Sequence, residues 1–194
     1  RLYLPTKGEI LVDGANIKSI NLSQYYSNIS AIFQDFIEYP FNVYENVAIR
    51  TADKGAHRFN QVLNDVGMYD VVNQLPSKEH TLLMRDWSGG VDLSRGQWQK
   101  LAIARCIYGN SAISILDEPF SSIDAESESQ IISNIRTKSK QNTLIFITHR
   151  FSSITREDQI IVLKDGSIVE TGTHEELMRN KKIYFKLHDS QKLE

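Results

Sequence analysis

Cysteine, proline and long apolar runs are scarce in this chain of 194 residues. The single cysteine, Cys106, excludes an internal disulfide and fits a reducing compartment, and no Cys/His cluster has the spacing of a zinc site. Apolar runs such as residues 144–147 are too short to span a bilayer. The four prolines, without any low-complexity stretch or internal repeat, leave no linker, which favours one domain.

The first methionine is Met68 and the chain opens on Arg1, so we expect that translation began upstream and that the sequence is a fragment. The residues that are present have the composition of a soluble globular domain, with 41% hydrophobic and 24% charged residues. The 22 basic and 24 acidic residues give a net charge of −2. This balance lacks the basic footprint of a nucleic-acid-binding protein, so we expect no nucleic-acid partner.

Short apolar stretches alternate with segments of helical periodicity, which predicts a mainly parallel α/β sheet. Strands are predicted at residues 9–12 and 29–33, and buried strands at residues 111–116 and 143–148. Helices are predicted at residues 57–75, from Ser94 onward, and at residues 125–138, 151–155 and 173–187. The helix from Ser94 should bury one face, formed by Trp98, Leu101, Ala102, Cys106 and Ile107. An Asp165-Gly166 turn predicts a hairpin over residues 160–170, and Thr173 with Glu176 predicts a capping box.

Two carboxylates, Asp117 and Glu118, stand at the end of a predicted buried strand. Ligands of open parallel sheets bind beyond the carboxyl ends of the strands. Adjacent carboxylates there could hold a magnesium ion and polarise a water molecule. The pair alone is more often a helix cap with solvent-facing charge.

A second candidate site is the start of the helix at Ser94. Ser94 with Gln97 forms a capping-box pattern, which by itself indicates only a well-started helix. The same free N–H groups, with the Ser94 hydroxyl and Gly96, suit phosphate oxygens. Arg95 would add positive charge beside them or lie in solvent.

Two single polar residues, Gln34 and His149, follow predicted strands. Each one alone is an ordinary polar strand end. These two residues indicate a function only in combination with the other motifs and with the order of those motifs along the chain.

Gln34, Leu93-Ser94-Arg95-Gly96-Gln97, Ile115 to Pro119, Ser121 to Asp124 and His149 resemble, in this order, the Q-loop, signature motif, Walker B motif, D-loop and switch histidine of the ABC transporter ATP-binding cassette. The resemblance runs nearly end to end, because residues 5–14 and 161–170 are similar to the family's early and late strands. It implies a P-loop NTPase-like α/β fold over residues 1–194, with a helical signature subdomain at about residues 44–108, a small antiparallel portion and a missing N-terminal part.

The resemblance also implies roles in ATP hydrolysis with Mg²⁺. Asp117 would hold the metal through water, and Glu118 would be the base that polarises the attacking water. His149 would contact the γ-phosphate. Gln34 would sense both the metal and the γ-phosphate.

A second set of residues would face another cassette, because this family sandwiches two nucleotides between head-to-tail domains. Ser94 and Gly96, with Arg95 and Gln97 beside them, would bind the ATP held by the second cassette. Asp124 would lie at the interface between the two cassettes.

Two departures from the family pattern stand out. Arg95 occupies the first glycine position of the usual Leu-Ser-Gly-Gly-Gln signature. The P-loop, Gly-x-x-x-x-Gly-Lys-Ser/Thr, is absent, since none of the ten glycines is followed by lysine. We therefore expect the chain to begin inside or at the end of the P-loop helix, and the isolated chain neither to bind ATP tightly nor to hydrolyse it.

Residues 89–93 and 97–100 look most like bacterial exporter cassettes. The implied function is the ATPase domain of an ABC transporter that powers export, held at the cytoplasmic face of the cell membrane by its transmembrane domain. Residues 35–47 and 57–74 would face that domain, with the aromatic residues Phe36, Tyr39 and Phe41 either docking it or packing in the core. Two alternatives stay open: a non-catalytic cassette remnant that acts as an interaction module, and a soluble ABC ATPase.

Overall fold

The computed structural model of the chain describes residues 1–50, 55–85, 88–138, 142–151, 154 and 158–191. It divides into two compact units, residues 1–147 and residues 148–194. In the first unit the elements follow in the order β1 (Leu11–Val12), β2 (Ala15–Asn16), α1 (Leu22–Ser27), β3 (Ile29–Ile32), α2 (Val43–Ala48), α3 (Gly55–Asp65), α4 (Tyr69–Asn73), a 3₁₀ turn (Lys78–His80), α5 (Arg95–Tyr108), β4 (Ile113–Asp117), α6 (Ala125–Lys138) and β5 (Thr143–Ile147).

A parallel three-stranded sheet with the order β3-β4-β5 positions the site. Ile32 pairs with Leu116, and Leu116 with Phe146, so the carboxyl ends of the three strands lie at one edge. The predicted alternation of strands and helices is therefore confirmed. The predicted strand at residues 9–12 is shorter than expected, and it forms an antiparallel ribbon of β1 and β2.

Helix α5 is the centre of the main core. Its predicted apolar face is confirmed, since Trp98, Leu101, Ala102 and Cys106 are buried and Ile107 packs partly against the same core. The helix contacts α2, α3 and β3. Because these elements cover α5 on several sides, its buried residues extend beyond the predicted apolar face.

The predicted continuous helix at residues 57–75 is wrong in one respect, because it is interrupted at Gly67. Gly67 has φ +66°, the left-handed conformation that glycine adopts without steric penalty. The Met68 N–H donates to the Leu63 carbonyl (2.8 Å) and the Gly67 N–H to the Asn64 carbonyl (3.1 Å). This hydrogen-bond pattern ends α3, and α4 begins separately at Tyr69.

The prediction that the strands at residues 111–116 and 143–148 are buried is also wrong. In β4 only Leu116 is buried, and the other residues of the strand are half-buried. In β5 the burial alternates, and Ile145 and Ile147 are 43% and 49% exposed. Leu144 and Phe146 pack against the main core, so within the described residues helices cover β5 on one face only.

The second unit contains β6 (Ile160–Lys164), β7 (Ser167–Gly172), α7 (His174–Asn180) and α8 (Ile183–Gln191). The predicted hairpin is confirmed, and both turn residues, Asp165 and Gly166, have positive φ. The Thr173 capping box is also confirmed. The predicted helix at residues 173–187 is instead two helices, separated at Lys181, which has φ +53°.

Most of the predicted short helix at residues 151–155 lies outside the described residues. Within the described parts of the chain, no helix has both the length and the apolar character needed to cross a bilayer. The boundaries of a helical subdomain at residues 44–108 stay a prediction.

Candidate functional site

Two predicted site residues meet at the carboxyl edge of the parallel sheet. Gln34 follows β3, and Glu118 follows the neighbouring strand β4. The Gln34 amide Nε2 donates to the Glu118 carboxylate Oε2 at 3.3 Å. Both side chains thus stand where ligands of parallel sheets bind, and the Glu118 carboxylate can accept hydrogen bonds from a water or a ligand there.

The backbone of Glu118 is in an unusual conformation. Its φ is +46°, in the left-handed region, which costs a non-glycine residue about 1–2 kcal/mol. The Glu118 N–H donates to the Ile147 carbonyl at 2.9 Å, which ties this residue to the end of β5. Strained conformations of this kind persist where surrounding contacts enforce them, and they cluster at functional sites.

The enforcing contacts come from a residue that the sequence prediction missed, Gln99. It is buried in α5, and its Nε2 donates to the Glu118 carbonyl (3.3 Å) and to Ser121 Oγ (2.9 Å). Its Oε1 accepts the Ser122 N–H at 2.8 Å. One carboxamide therefore holds the turn that follows Glu118. In the sequence, the only signal is a glutamine between Trp98 and Lys100 of a predicted helix, which does not reveal its partners.

Gly96 lies against the same turn. A Cβ atom at this position would be 2.7 Å from the Ser122 carbonyl oxygen, closer than real Cβ contacts allow. The glycine therefore permits α5 to approach the turn after Glu118. This role within the chain is independent of the predicted approach of Gly96 to a phosphate.

The start of α5 has the predicted capping box. The Gln97 N–H donates to Ser94 Oγ (3.3 Å), and the Ser94 N–H donates to Gln97 Oε1 (2.8 Å). Ser94 and Arg95 are exposed, so the N-terminus of this 14-residue helix faces solvent. It is suited to bind an anion, because free N–H groups and the helix dipole both favour negative charge there.

Asp124 caps helix α6. Its carboxylate accepts the Ser127 N–H at 2.9 Å, and its carbonyl accepts the Glu128 N–H at 2.9 Å. The hydrogen bonds from Ser127 lower the pKa of Asp124 below its ordinary value. A local structural role thus accounts for an acidic residue here, and its place at an interface between two cassettes stays a prediction.

We expect Asp124→Ala to lower Tm by about 2–4 °C at neutral pH, because Ser127 loses its acceptor. The folded-state pKa lies below the unfolded value, so the charge-dependent stabilisation is complete above about pH 4 and is lost as the pH falls through the lowered pKa. Thermal unfolding at neutral pH and at about pH 3 measures both effects. Asp124→Asn, which keeps a capping oxygen, is the control. A deficit of the alanine variant that is undiminished in acid would contradict this assignment.

Asp117 and His149 complete the predicted set. Asp117 ends β4, half-buried, beside Glu118, and these carboxylates with the Gln34 amide are the hard oxygen donors that Mg²⁺ prefers. Among the described residues, no group of three or more His, Cys, Asp or Glu side chains is arranged to hold a metal. A Mg²⁺ bound through one or two carboxylates, with phosphates and waters, fits this donor set. His149 lies in the second unit, where its carbonyl accepts a hydrogen bond from the Gln191 amide.

Comparisons with known proteins identify the family to which the chain is similar. The family model for ABC transporters matches residues 1–121, more than half of the chain. The subtilin transport ATP-binding protein SpaT of Bacillus subtilis is 36% identical over 193 residues, covering 98% of this chain and 31% of that protein. An ATP-dependent lipid A-core flippase of Paraburkholderia xenovorans (strain LB400) is 40% identical over 192 residues, with the same coverage.

A solved structure of a bacterial Atm1-family ABC exporter with ATP bound matches with a TM-score of 0.89 and 28% identity, over 98% of this chain and 33% of that one. The chain thus spans about a third of the length of these relatives. Its mixed α/β architecture, with a parallel sheet and small antiparallel pairs, is that of a P-loop NTPase-like nucleotide-binding domain. The chain therefore belongs to the ABC transporter family, and within that family it resembles the ATP-binding cassettes of exporters.

Proposed function

We propose that this chain is part of the ATP-binding and ATP-hydrolysing cassette of a transporter that exports its substrate across a membrane. The observation that carries the proposal is the contact between Gln34 and Glu118 at the carboxyl edge of the sheet. The left-handed backbone of Glu118, enforced through Gln99, supports it further. Such a pre-organised carboxylate is what a water-activating base requires.

In this proposal Glu118 accepts a proton from the water that attacks the γ-phosphate. Asp117 holds Mg²⁺ through water, Gln34 contacts the metal and the γ-phosphate, and His149 contacts the γ-phosphate. The metal, when bound, neutralises charge on the phosphates. The protein's contribution is positioning, because phosphoryl transfer to water needs little covalent chemistry from side chains.

We further propose that the exposed start of α5 binds the ATP held by a second cassette in a head-to-tail dimer. Ser94 and Gly96, flanked by Arg95 and Gln97, provide this face, and Asp124 lies at the interface. The support is the free N-terminus of a 14-residue helix with a hydroxyl at its cap.

A transmembrane domain is the second proposed partner, placing the cassette at the cytoplasmic face of the cell membrane. Residues 35–47 and 57–74 would face it. Exposed apolar side chains in and beside the first of these segments support the proposal: Phe33, Ile37, Phe41 and Leu82. Phe36 packs partly against the core, and Tyr39 stacks on Phe41 at 5.8 Å, so this cluster combines packing with exposure.

We expect the isolated 194-residue chain neither to bind ATP tightly nor to hydrolyse it, because no glycine in it is followed by the lysine of a phosphate-binding loop. Titration calorimetry and phosphate release, with circular dichroism to verify folding, measure this. The complete protein containing the chain is the positive control. Normal turnover by the isolated chain would refute the expectation.

The same absence of a Gly-Lys pair favours a second candidate function, an interaction module that pairs with a complete cassette. It would contribute only the start of α5. Tight nucleotide binding that appears only when a complete cassette is added would support this alternative. Hydrolysis by the chain alone would exclude it.

A further inference from the structure

Arg95 stands where the family's signature motif usually has a glycine, and its side chain contacts the segment that follows Gln34. Its Nη1 lies 3.1 Å from Glu38 Oε1. Its guanidinium carbon lies 4.5 Å from the centroid of the Phe36 ring. The arginine thus makes an ion pair and a cation–π contact with two residues of one short segment.

The same segment is held further along by the other end of α5. Arg105 Nη1 donates to the Ile37 carbonyl at 3.1 Å, and its guanidinium lies over the Tyr39 ring at 4.6 Å. Arg105 also donates to the Asn46 carbonyl at 2.8 Å. Residues 36–46 therefore contact α5 through two arginines, Arg95 in its first turn and Arg105 in its last turn.

We propose that Arg95 is a positioning residue that clamps Phe36 and Glu38 to the start of α5, so that Gln34 and Ser94 keep one fixed spacing. Gln34 is two residues from Phe36, and Ser94 is adjacent to Arg95. Two residues of chain span at most about 7 Å, so a fixed Phe36 strongly limits the positions of Gln34. The proposal rests on the proposed function, which assigns Gln34 to one nucleotide site and Ser94 to the other.

The contact partners distinguish this role from direct binding of phosphate by Arg95. A guanidinium that acts through Glu38 loses its effect when Glu38 is neutralised. A guanidinium that binds phosphate keeps its effect, or binds more strongly, once the competing carboxylate is gone. Glu38→Gln is therefore as informative as a change of Arg95 itself.

The test compares the wild type of the complete protein that contains this chain with three variants: Arg95→Ala, Glu38→Gln and the double variant. Hydrogen exchange of peptides covering residues 35–42 is measured without nucleotide, and kcat and KM for ATP are measured at saturating Mg²⁺. Since the side chains of Arg95 and Glu38 are 54% and 31% exposed, their loss should loosen the segment without unfolding the domain. Arg179→Ala, at an exposed helix arginine of the second unit, is the matched control.

Each single variant should raise exchange in residues 35–42 about threefold and lower kcat about threefold, with KM changed by less than about twofold. The double variant should add little to the stronger single variant, because both remove one clamp. Unchanged exchange in Arg95→Ala would overturn the proposal, as would raised exchange with unchanged kcat.

A raised KM in Arg95→Ala that Glu38→Gln does not share would also overturn it, in favour of nucleotide contact by Arg95. The proposed function is tested separately, because it fails when Glu118→Gln leaves hydrolysis intact. The exchange measurement needs no nucleotide, so it decides whether the clamp exists in either case.

Discussion

Replacing Glu118 with glutamine is expected to lower ATP hydrolysis by the complete protein about 10²- to 10⁴-fold while ATP still binds. The glutamine side chain has the same shape and can still meet Gln34, but it cannot accept a proton from water. The left-handed backbone at this position is enforced by hydrogen bonds to main-chain atoms and should survive the exchange. Phosphate release measures turnover, and equilibrium binding of ATP in the presence of Mg²⁺ measures retained affinity.

Glu175→Gln is the matched control, since it makes the same chemical change at an exposed position in the first turn of α7. It should leave hydrolysis unaffected. Turnover of the Glu118 variant at the normal rate would show that another group activates the water. Loss of both binding and turnover would instead indicate that Glu118 supports the nucleotide site structurally.

The second large effect is expected for Gly96→Ala. In a helix, alanine is intrinsically preferred over glycine by about 1 kcal/mol, so propensity alone would make this variant more stable. The added Cβ would lie 2.7 Å from the Ser122 carbonyl oxygen, and relieving such overpacking typically costs about 1–3 kcal/mol. The turn would have to move away from α5, which weakens the bond between Gln99 and the Ser122 N–H.

The overpacking cost less the propensity gain leads us to expect that Gly96→Ala lowers the free energy of unfolding by up to about 2 kcal/mol. It should also reduce hydrolysis, because the displaced turn begins at Glu118. Urea denaturation and phosphate release measure the two effects. Gly166→Ala provides a contrast: its Cβ meets no atom within 4 Å, but its φ of +75° makes alanine strained by about 1 kcal/mol. That variant should lose stability and keep its hydrolysis rate. A Gly96→Ala protein as stable and as active as wild type would refute the packing argument.

The parts of the fold that were predictable from sequence are those set by local interactions. The capping box of Ser94 and Gln97 spans only four residues, and the structure has it where the sequence predicts it. Helix α6 also has its predicted bounds. The break at Gly67 was missed because the apolar periodicity continues across it. The half-exposed state of β5 depends on which helices cover the sheet, and strand periodicity does not contain that information.

The candidate site divides in the same way. Gln34 and Glu118 were recognisable because each follows a strand, and parallel strands bring their carboxyl ends together. The partners of Gln99 and Arg95 could not be recognised from the sequence, because these partners come from distant segments of the chain. Glu38, for example, is 57 residues from Arg95 in sequence. A polar side chain on a helix shows its hydrogen-bonding capacity in the sequence, and only the packing shows where that capacity is used.

Gln99 has a consequence for how natural variants of this protein should be interpreted. Its amide nitrogen donates two hydrogen bonds, one to the Glu118 carbonyl and one to Ser121 Oγ. The substitution Gln99→Glu replaces this nitrogen with a carboxylate oxygen, which would then face the carbonyl of Glu118. Repulsion would replace attraction at the backbone of the residue proposed to activate water. A conservative-looking change outside the Q-loop, signature, Walker B, D-loop and switch-histidine positions could therefore inactivate the protein, and a screen restricted to those positions would overlook it.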